Sequence, residues 1–298
     1  MNTQSGRDRV CGPAPAAGRF PLAAVFLRSF LIQAGWNYER FQNLGFAFAI
    51  LPALRKIYRS GEAFNAAVLR HLGIFNTQPY MAGFVLGNVV RMEEELSGRP
   101  GDAEFESKLL GVKQALASGF AAIGDRVFWG RLKPLTTQLC IAVWLLAGFH
   151  GWLFTGAVFR PSVPVVFCGP LSGIVLCGVF AVYLRWVGLK KGYSCGGSAN
   201  CGLDTMRWPV LIRALSVAGF AFSLLIVLGA FGLLIVHNLP GESAPGLAAR
   251  LSLVLGVMAL QRVARRLGRS IFFAMAIIVA VSVIVFTAAD PVRFDVYL

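Results

Sequence analysis

Charge is scarce in this chain. Of its 298 residues only 14% are charged, against 56% hydrophobic, whereas an average soluble domain carries about 25% charged residues. Acids are scarcer than bases: 14 Asp plus Glu face 28 Lys plus Arg, a formal net charge of +14. So little charge argues against an ordinary soluble globule, and so much apolar side chain argues against disorder of the whole chain. Basicity of this size points to nucleic acid or to an anionic membrane surface. The apolar fraction decides between them, because a nucleic-acid binder does not need long uncharged runs, and no nucleic-acid partner is expected.

Catalytic and metal-binding signatures are also missing. No glycine-rich Walker-type loop is present, so nucleotide hydrolysis is not expected. His71, His150 and His237 stand apart without a metal-binding pattern and read as structural. Cys140, Cys168 and Cys177 fall in apolar runs, where they serve as small apolar side chains. Cys195 and Cys201 enclose five residues, which is not a metal-knuckle spacing. The side of the membrane expected for that loop argues against a disulfide. Neither metal nor cofactor is expected.

What the sequence does have is uncharged runs. Residues 134–159, 161–184, 214–241 and 270–289 contain no Asp, Glu, Lys or Arg. Each reaches the roughly 20 residues a helix needs to cross the hydrocarbon, and a helix satisfies its own backbone there. The expected architecture is therefore an all-α integral membrane protein with about four long transmembrane helices in its C-terminal half. A shorter run, Leu251 to Gln261, reads as re-entrant or interfacial. Arg126, Arg131 and Lys133 precede the first span, Arg185, Lys190, Lys191, Arg207 and Arg213 lie between the second and third, and Arg262, Arg265, Arg266 and Arg269 precede the last. The opposite loops hold only Arg160 and Arg250. Cytoplasmic loops collect Lys and Arg, so the first half is expected on the cytoplasmic side and the C-terminus outside. No cleavable signal peptide is apparent, and residues 1–21 read as a mobile basic leader.

The N-terminal half is helical but interrupted. Ser29, Gln33, Asn37 and Arg40 recur as one polar stripe among Phe26, Phe30, Leu31, Trp36 and Phe41, which predicts an amphipathic helix. Ser60 is positioned to cap a helix with Phe64, Val68 and Leu72 on one face, and Gly73 to end it. Phe105, Leu109, Val112 and Leu116 predict another amphipathic face, after the loop 97–102. Two stretches read as broken, re-entrant helices at membrane depth: 75–83, with Asn76, Gln78, Pro79 and Gly83, and 118–125, with Gly119 and Gly124, running on to Gly130. Of the 14 acids, eleven fall in the leader, in loops or on faces that read as solvated, Glu93-Glu94-Glu95 among them, and Asp290 borders a span. Glu39 and Asp125 remain in apolar, aromatic surroundings. The long spans offer no ionisable relay, so they supply no proton or sodium pathway.

Three ordered blocks then carry a resemblance. They are 26–46, with Gln33-Ala34-Gly35-Trp36-Asn37-Tyr38-Glu39-Arg40 inside it; Arg70-His71-Leu72 with 75–80; and Gly124-Asp125 with Phe128-Trp129-Gly130. Together they resemble the IID component of the mannose/fructose/sorbose class of the phosphoenolpyruvate-dependent sugar phosphotransferase system. The likeness runs through 22–135, with a weaker trace at Gly192-Tyr193-Ser194. The chain accordingly divides into the leader 1–21, a family-matching helical region 22–135 with re-entrant segments, and a transmembrane helical region 136–298. In one departure, Ser118-Gly119-Phe120 stands where the family has a glycine-proline pair.

The resemblance implies a multi-pass protein of the bacterial inner membrane, without catalysis of its own. It implies a IIC membrane subunit as channel partner, soluble IIA and IIB subunits with the phosphoryl-carrying histidines, and a hexose phosphorylated as it enters. Phosphoryl transfer would supply the energy. Asn, Gln and carboxylate groups suit sugar hydroxyls, and an aromatic ring suits an apolar sugar face. On that ground Trp36, Asn37, Glu39, Asn76, Gln78 and Asp125 are the candidate substrate-binding residues. Arg40, Pro79, Gly124 and Trp129 are candidates for the partner interface or a hinge. The alternative role for the polar set is to satisfy broken-helix backbone or to bind the IIC partner. Two further functional classes stay open: a divergent membrane protein that regulates or senses without transport, and an unrelated membrane enzyme.

Overall fold

A computed structural model describes residues 22–59, 61–155, 163–204 and 206–238, with isolated positions beyond. The leader 1–21, the proposed cap Ser60, Arg160, Arg250 and the run 270–289 lie outside the described residues or nearly so, as does the run 251–261. The chain divides into two compact units, Met1–Val227 and Leu228–Leu298, and the packing that follows concerns the first.

The described residues are helical, with two isolated bridges, Asn37 to Phe41 and Phe41 to Phe75, in place of any strand. The elements are α1 (Leu22–Ser29), α2 (Asn43–Ile57), α3 (Gly61–Arg70), α4 (Ala82–Ser97), α5 (Ala103–Gly124), a π-helical segment (Asp125–Leu132), α6 (Lys133–Thr155), α7 (Val163–Cys195) and α8 (Trp208–Asn238). Two stretches among the described residues are long and apolar enough to cross a membrane: Val166–Cys195, of 30 residues, and Trp208–Gly229, of 22.

Local chemistry sets the helix ends. The Asp102 side chain accepts the Phe105 backbone N–H at 2.9 Å, and Glu104 and Glu106 follow in the first turn. That arrangement satisfies an orphan donor and opposes the positive helix end. The amphipathic face expected on α5 is present, with Phe105, Leu109, Val112 and Leu116 buried.

The predicted helix from Ser29 to Arg40 is not formed. α1 stops at Ser29, and residues 30–36 turn back through backbone bonds of three-residue span, such as Ala34 N–H to Leu31 at 2.9 Å. The Asn37 side chain then accepts the Arg40 N–H at 2.8 Å. An Asn that bonds its own backbone offers the chain an alternative to helix, and here it wins over hydrophobic periodicity.

α4 is the central element, buried along most of its length. It crosses α7 with backbones nearly touching. The contact uses Gly83 and Gly87 on one helix and Gly188 and Gly192 on the other, each pair four residues apart. A Cβ at Gly87 would stand 2.6 Å from the Tyr193 nitrogen, and one at Gly192 would stand 2.9 Å from the Asn88 nitrogen. Small residues at this spacing let helices pack without a hydrophobic driving force between them. Beside this contact Phe84 and Phe120 stack at 4.4 Å, and Trp208 closes the cluster at 6.0 and 6.4 Å, its indole N–H donating to Gly202 at 2.7 Å.

α7 departs from expectation in one respect. The uncharged run 161–184 does lie in it where described, but the helix continues to Cys195, so Arg185, Lys190 and Lys191 sit on a helix instead of in a loop. Arg185 is buried. Its guanidinium donates to the Ser29 carbonyl, approaches the Ser29 hydroxyl at 3.3 Å and lies 4.5 Å over the Phe30 ring. That carbonyl, at the end of α1, also accepts the Ile32 N–H at 3.2 Å, and the added cation suits the negative helix terminus.

Candidate functional site: two unwound loops over a buried charge cluster

The first unwound segment, 36–42, and the second, 71–81, run against each other. Gln42 N–H donates to the Phe75 carbonyl at 2.9 Å and Phe75 N–H to the Arg40 carbonyl at 3.3 Å. Side chains complete the joint. Gln42 donates to the Thr77 carbonyl at 2.9 Å and accepts the Thr77 N–H at 3.1 Å, and the Thr77 hydroxyl donates to Ala117 of α5 at 2.9 Å. Asn37 donates to Asn43 at 2.9 Å, and Asn43 donates to the Leu72 carbonyl at 2.8 Å, where Arg40 also arrives at 3.3 Å. Phe41 holds a left-handed backbone, φ 57°, uncommon for a bulky residue. Buried polar groups must find partners, and in this joint they find one another.

The expected break at 75–83 is thus unwound backbone up to Met81, with α4 starting at Ala82. The expected break at 118–125 is not unwound. α5 runs through it to Gly124, and a π-helical segment follows, closed by Lys133 N–H bonding back to Phe128. Wider turns of this kind let a helix carry irregular spacing without losing its hydrogen bonds.

Sequence-selected residues fall in three settings. Asn37, Arg40 and Gln78 are built into the joint. Gln78 is buried, and its side chain accepts the Tyr80 N–H at 2.7 Å. The structure brings Gln78 to Gly124, where a Cβ would stand 2.5 Å from the Gln78 Cγ. Only glycine admits the loop so close to α5. Pro79 is half-buried. Glu39, Asn76 and Asp125 are exposed, not enclosed by apolar surroundings as expected for the two acids. Trp36 and Trp129 are exposed as well. Trp36 meets Tyr38 edge to face at 4.8 Å, and Trp129 carries the Lys133 ammonium 3.1 Å over its ring.

Beneath the loops lies a cluster that sequence reading placed in solvent. Glu93 is fully buried. Its Oε1 is 2.9 Å from His71 Nε2 and 3.1 Å from Arg70 Nε, and its Oε2 accepts the Tyr58 hydroxyl at 2.7 Å. Arg70 also reaches Glu106 at 2.8 Å. Lys113, buried too, lies 4.3 Å over the Phe46 ring and 5.4 Å from that of Phe75. Burial pushes the Glu93 carboxyl up, but the hydrogen bonds from His71 and Tyr58 and the Arg70 charge hold it below its ordinary value. Burial lowers His71, the Lys113 and Arg70 charges lower it further, and the Glu93 bond only partly offsets this. Burial brings Lys113 down to about 8, against the opposing pull of Glu93. The arrangement at neutral pH is a carboxylate, a neutral imidazole that donates from Nε2, and two cations. Glu94 and Glu95, by contrast, pair with Arg91 on the outer side, at 3.3 and 3.4 Å. The missed signal was positional: Glu93 follows Val89 by four residues and precedes Leu96 by three, both buried, which puts it on the inner face.

Comparison with known proteins supplies a family. A mannose-specific EIID component of the phosphotransferase system of Escherichia coli K12 is 36% identical over 177 residues, 59% of this chain and 55% of that protein. The fructose permease IID component of Bacillus subtilis is 30% identical over 208 residues, 70% of this chain and 66% of its own length. A solved structure described as a membrane protein superposes with a TM-score of 0.52 at 30% identity, over 72% of this chain and 69% of the other. The chain spans a little over half the length of the mannose-specific relative. Residues 21–238 match the family model described as the PTS system mannose/fructose/sorbose family IID component, and the chain belongs to that family.

Proposed function

We propose that this chain is the IID-type membrane subunit of a sugar phosphotransferase transporter. With a IIC subunit it forms the pathway for a hexose that is phosphorylated on entry by IIA and IIB subunits. The observation that carries the reading is the pair of unwound loops, 36–42 and 71–81, locked to each other and to α5 by Gln42, Thr77 and Gln78. Such a joint gives a rigid edge of irregular backbone, which is tolerated at membrane depth where it lines a cavity or a partner. Its exposed margin holds Trp36, Glu39 and Asn76, groups that suit a sugar's hydroxyls and apolar face. Asp125 is proposed as a further contact to sugar or to the IIC subunit, with Arg40, Pro79, Gly124 and Trp129 at the partner interface or hinge. Matches to relatives named for mannose, fructose and sorbose support a hexose as cargo.

The chain is placed in the bacterial inner membrane as a multi-pass protein, its N-terminus cytoplasmic and its C-terminus outside, with α6, α7, α8 and the run 270–289 as spans. Among the described residues of the candidate spans Arg185 is the buried charge, and it is engaged by the Ser29 carbonyl, which leaves phosphoryl transfer on the partners as the energy source. The test is reconstitution in a strain lacking its own mannose-class permease. Co-expression with the IIC, IIA and IIB partners should restore phosphoenolpyruvate-dependent hexose uptake. Asp125→Ala should lower uptake at least tenfold while IIC still co-purifies in equal amount. Failure to co-purify any membrane partner, with no uptake restored, would overturn the reading.

A further inference from the structure

α6 and α7 meet closely at Gly169 and Gly173, where an added Cβ would stand 2.9 Å from the Cys140 Sγ and 3.0 Å from the Thr136 carbonyl. Beside that contact an open surface groove of about 350 Å³ runs along the two helices, lined by Lys133, Thr136, Thr137 and Cys140 of α6 and by residues of α7 that include Gly173 and Ile174. From Lys133 to Cys140 the groove runs about 10 Å along the helix at 1.5 Å per residue.

Three observations identify what would fill it. The Thr136 and Thr137 hydroxyls both donate to the Lys133 carbonyl, at 2.7 and 3.2 Å. Their donors are used up inside the helix, so the walls offer a sugar no hydroxyl donor, whereas an alkyl chain needs none. The groove opens on Ile174, which is 68% exposed on a stretch apolar enough to cross a membrane. At one end stands the Lys133 ammonium, held 3.1 Å over the Trp129 ring, with Arg126 and Arg131 on the preceding segment. Among the described residues no carboxylate lies within 4 Å of any of the three cations. Arg131 is fixed by Ser216 at 2.7 Å and by the Arg126 carbonyl at 2.9 Å. A cation on a tryptophan at the end of an apolar groove matches a phosphate joined through glycerol to an acyl chain, and basic pockets between helices on the cytoplasmic side bind anionic headgroups.

We infer that the α6–α7 groove is a binding site for one anionic phospholipid, its acyl chain along Thr137, Cys140 and Ile174 and its phosphate at Lys133. The inference rests on the membrane placement proposed above but not on transport. The lipid covers the seam of two helices already in contact at Gly169 and Gly173.

The test is native mass spectrometry of the full chain, purified with its membrane partner from detergent and exchanged into phosphatidylglycerol or phosphatidylcholine. The wild type should retain one phosphatidylglycerol at least fivefold more than phosphatidylcholine. Lys133→Glu should remove the preference. Ile174→Trp, at an exposed position, should fill the groove and lower retention of both lipids. Equal retention of the two lipids by wild type and Lys133→Glu would overturn the inference. So would a photocrosslinker at residue 174 that captures the partner subunit instead of lipid, because the groove would then be a protein interface. Loss of uptake with lipid retention intact would count against the transport reading alone.

Discussion

Glu93 receives His71 on one carboxylate oxygen at 2.9 Å and Tyr58 on the other at 2.7 Å, and so binds α4 to the end of α2 and to the turn that follows α3. Removing one partner of a buried ionic cluster strands the rest, at a cost of roughly 3–5 kcal/mol. Glu93→Ala should therefore lower the thermal midpoint of the detergent-solubilised protein sharply. Glu93→Gln, which keeps an acceptor for His71, should lower it less. Equal midpoints for Glu93→Ala and wild type would contradict the role assigned to this carboxylate.

The same cluster sets a pH profile. His71 is lowered in the fold, so below its ordinary value of 6.5 the unfolded chain binds the extra proton and stability falls as pH falls. Glu93 is lowered as well, and its contribution disappears as pH drops further, through its folded value. Lys113 stands at about 8 instead of 10.5, so the unfolded chain binds more protons between those values and stability rises with pH there. Lys113→Met should abolish the alkaline rise and leave the acid fall. Denaturation midpoints measured from pH 5 to 10 decide this.

At the α4–α7 crossing any side chain must push the backbones apart. Gly87→Leu or Gly192→Leu should abolish recovery of monodisperse protein after detergent extraction. Gly178→Leu lies on the same helix α7, where no atom stands within 4 Å of the added Cβ, and should be recovered as wild type. Loss of all three would indicate a general intolerance of α7 and not a specific contact.

Gln42 and Thr77 exchange two hydrogen bonds across the loops. Gln42→Leu leaves the Thr77 backbone groups buried and unpaired, which costs roughly 1–3 kcal/mol. Uptake in the reconstituted system should fall severalfold in this variant even where folding survives. A variant at full activity would show that the loops need not be joined for transport.

The helical nature of the chain and its apolar stretches were legible because periodicity and length report burial directly. The amphipathic face of α5 followed from periodicity, and the unwinding around Pro79 from the proline and glycine there with Asn76 and Gln78 beside them. The turn after Ser29 was not legible, because Asn37 diverts the backbone by one local hydrogen bond that no hydrophobic pattern registers. Glu93 was misplaced because three adjacent acids beside Arg91 look solvated, and only their phase against Val89 and Leu96 separates the inner one from its neighbours. Arg185 was misplaced because a charge after an apolar run reads as a boundary, whereas its partner is a carbonyl more than 150 residues away. The glycine pairs of α4 and α7 were present as four-residue spacings, yet each helix alone gives no hint of the other.

The π-helical segment gives this chain a built-in angular offset. A helix that accommodates residues in widened turns advances less around its axis than an α-helix of the same length. Deleting one residue between Asp125 and Leu132 invites the backbone to tighten into ordinary α geometry, and each residue of an α-helix subtends about 100°. The lost residue and the tightened turns act in opposite senses, so everything downstream of Lys133 would keep nearly its angle to α5, and a one-residue deletion there should be better tolerated than the same deletion inside the ordinary α turns of α5.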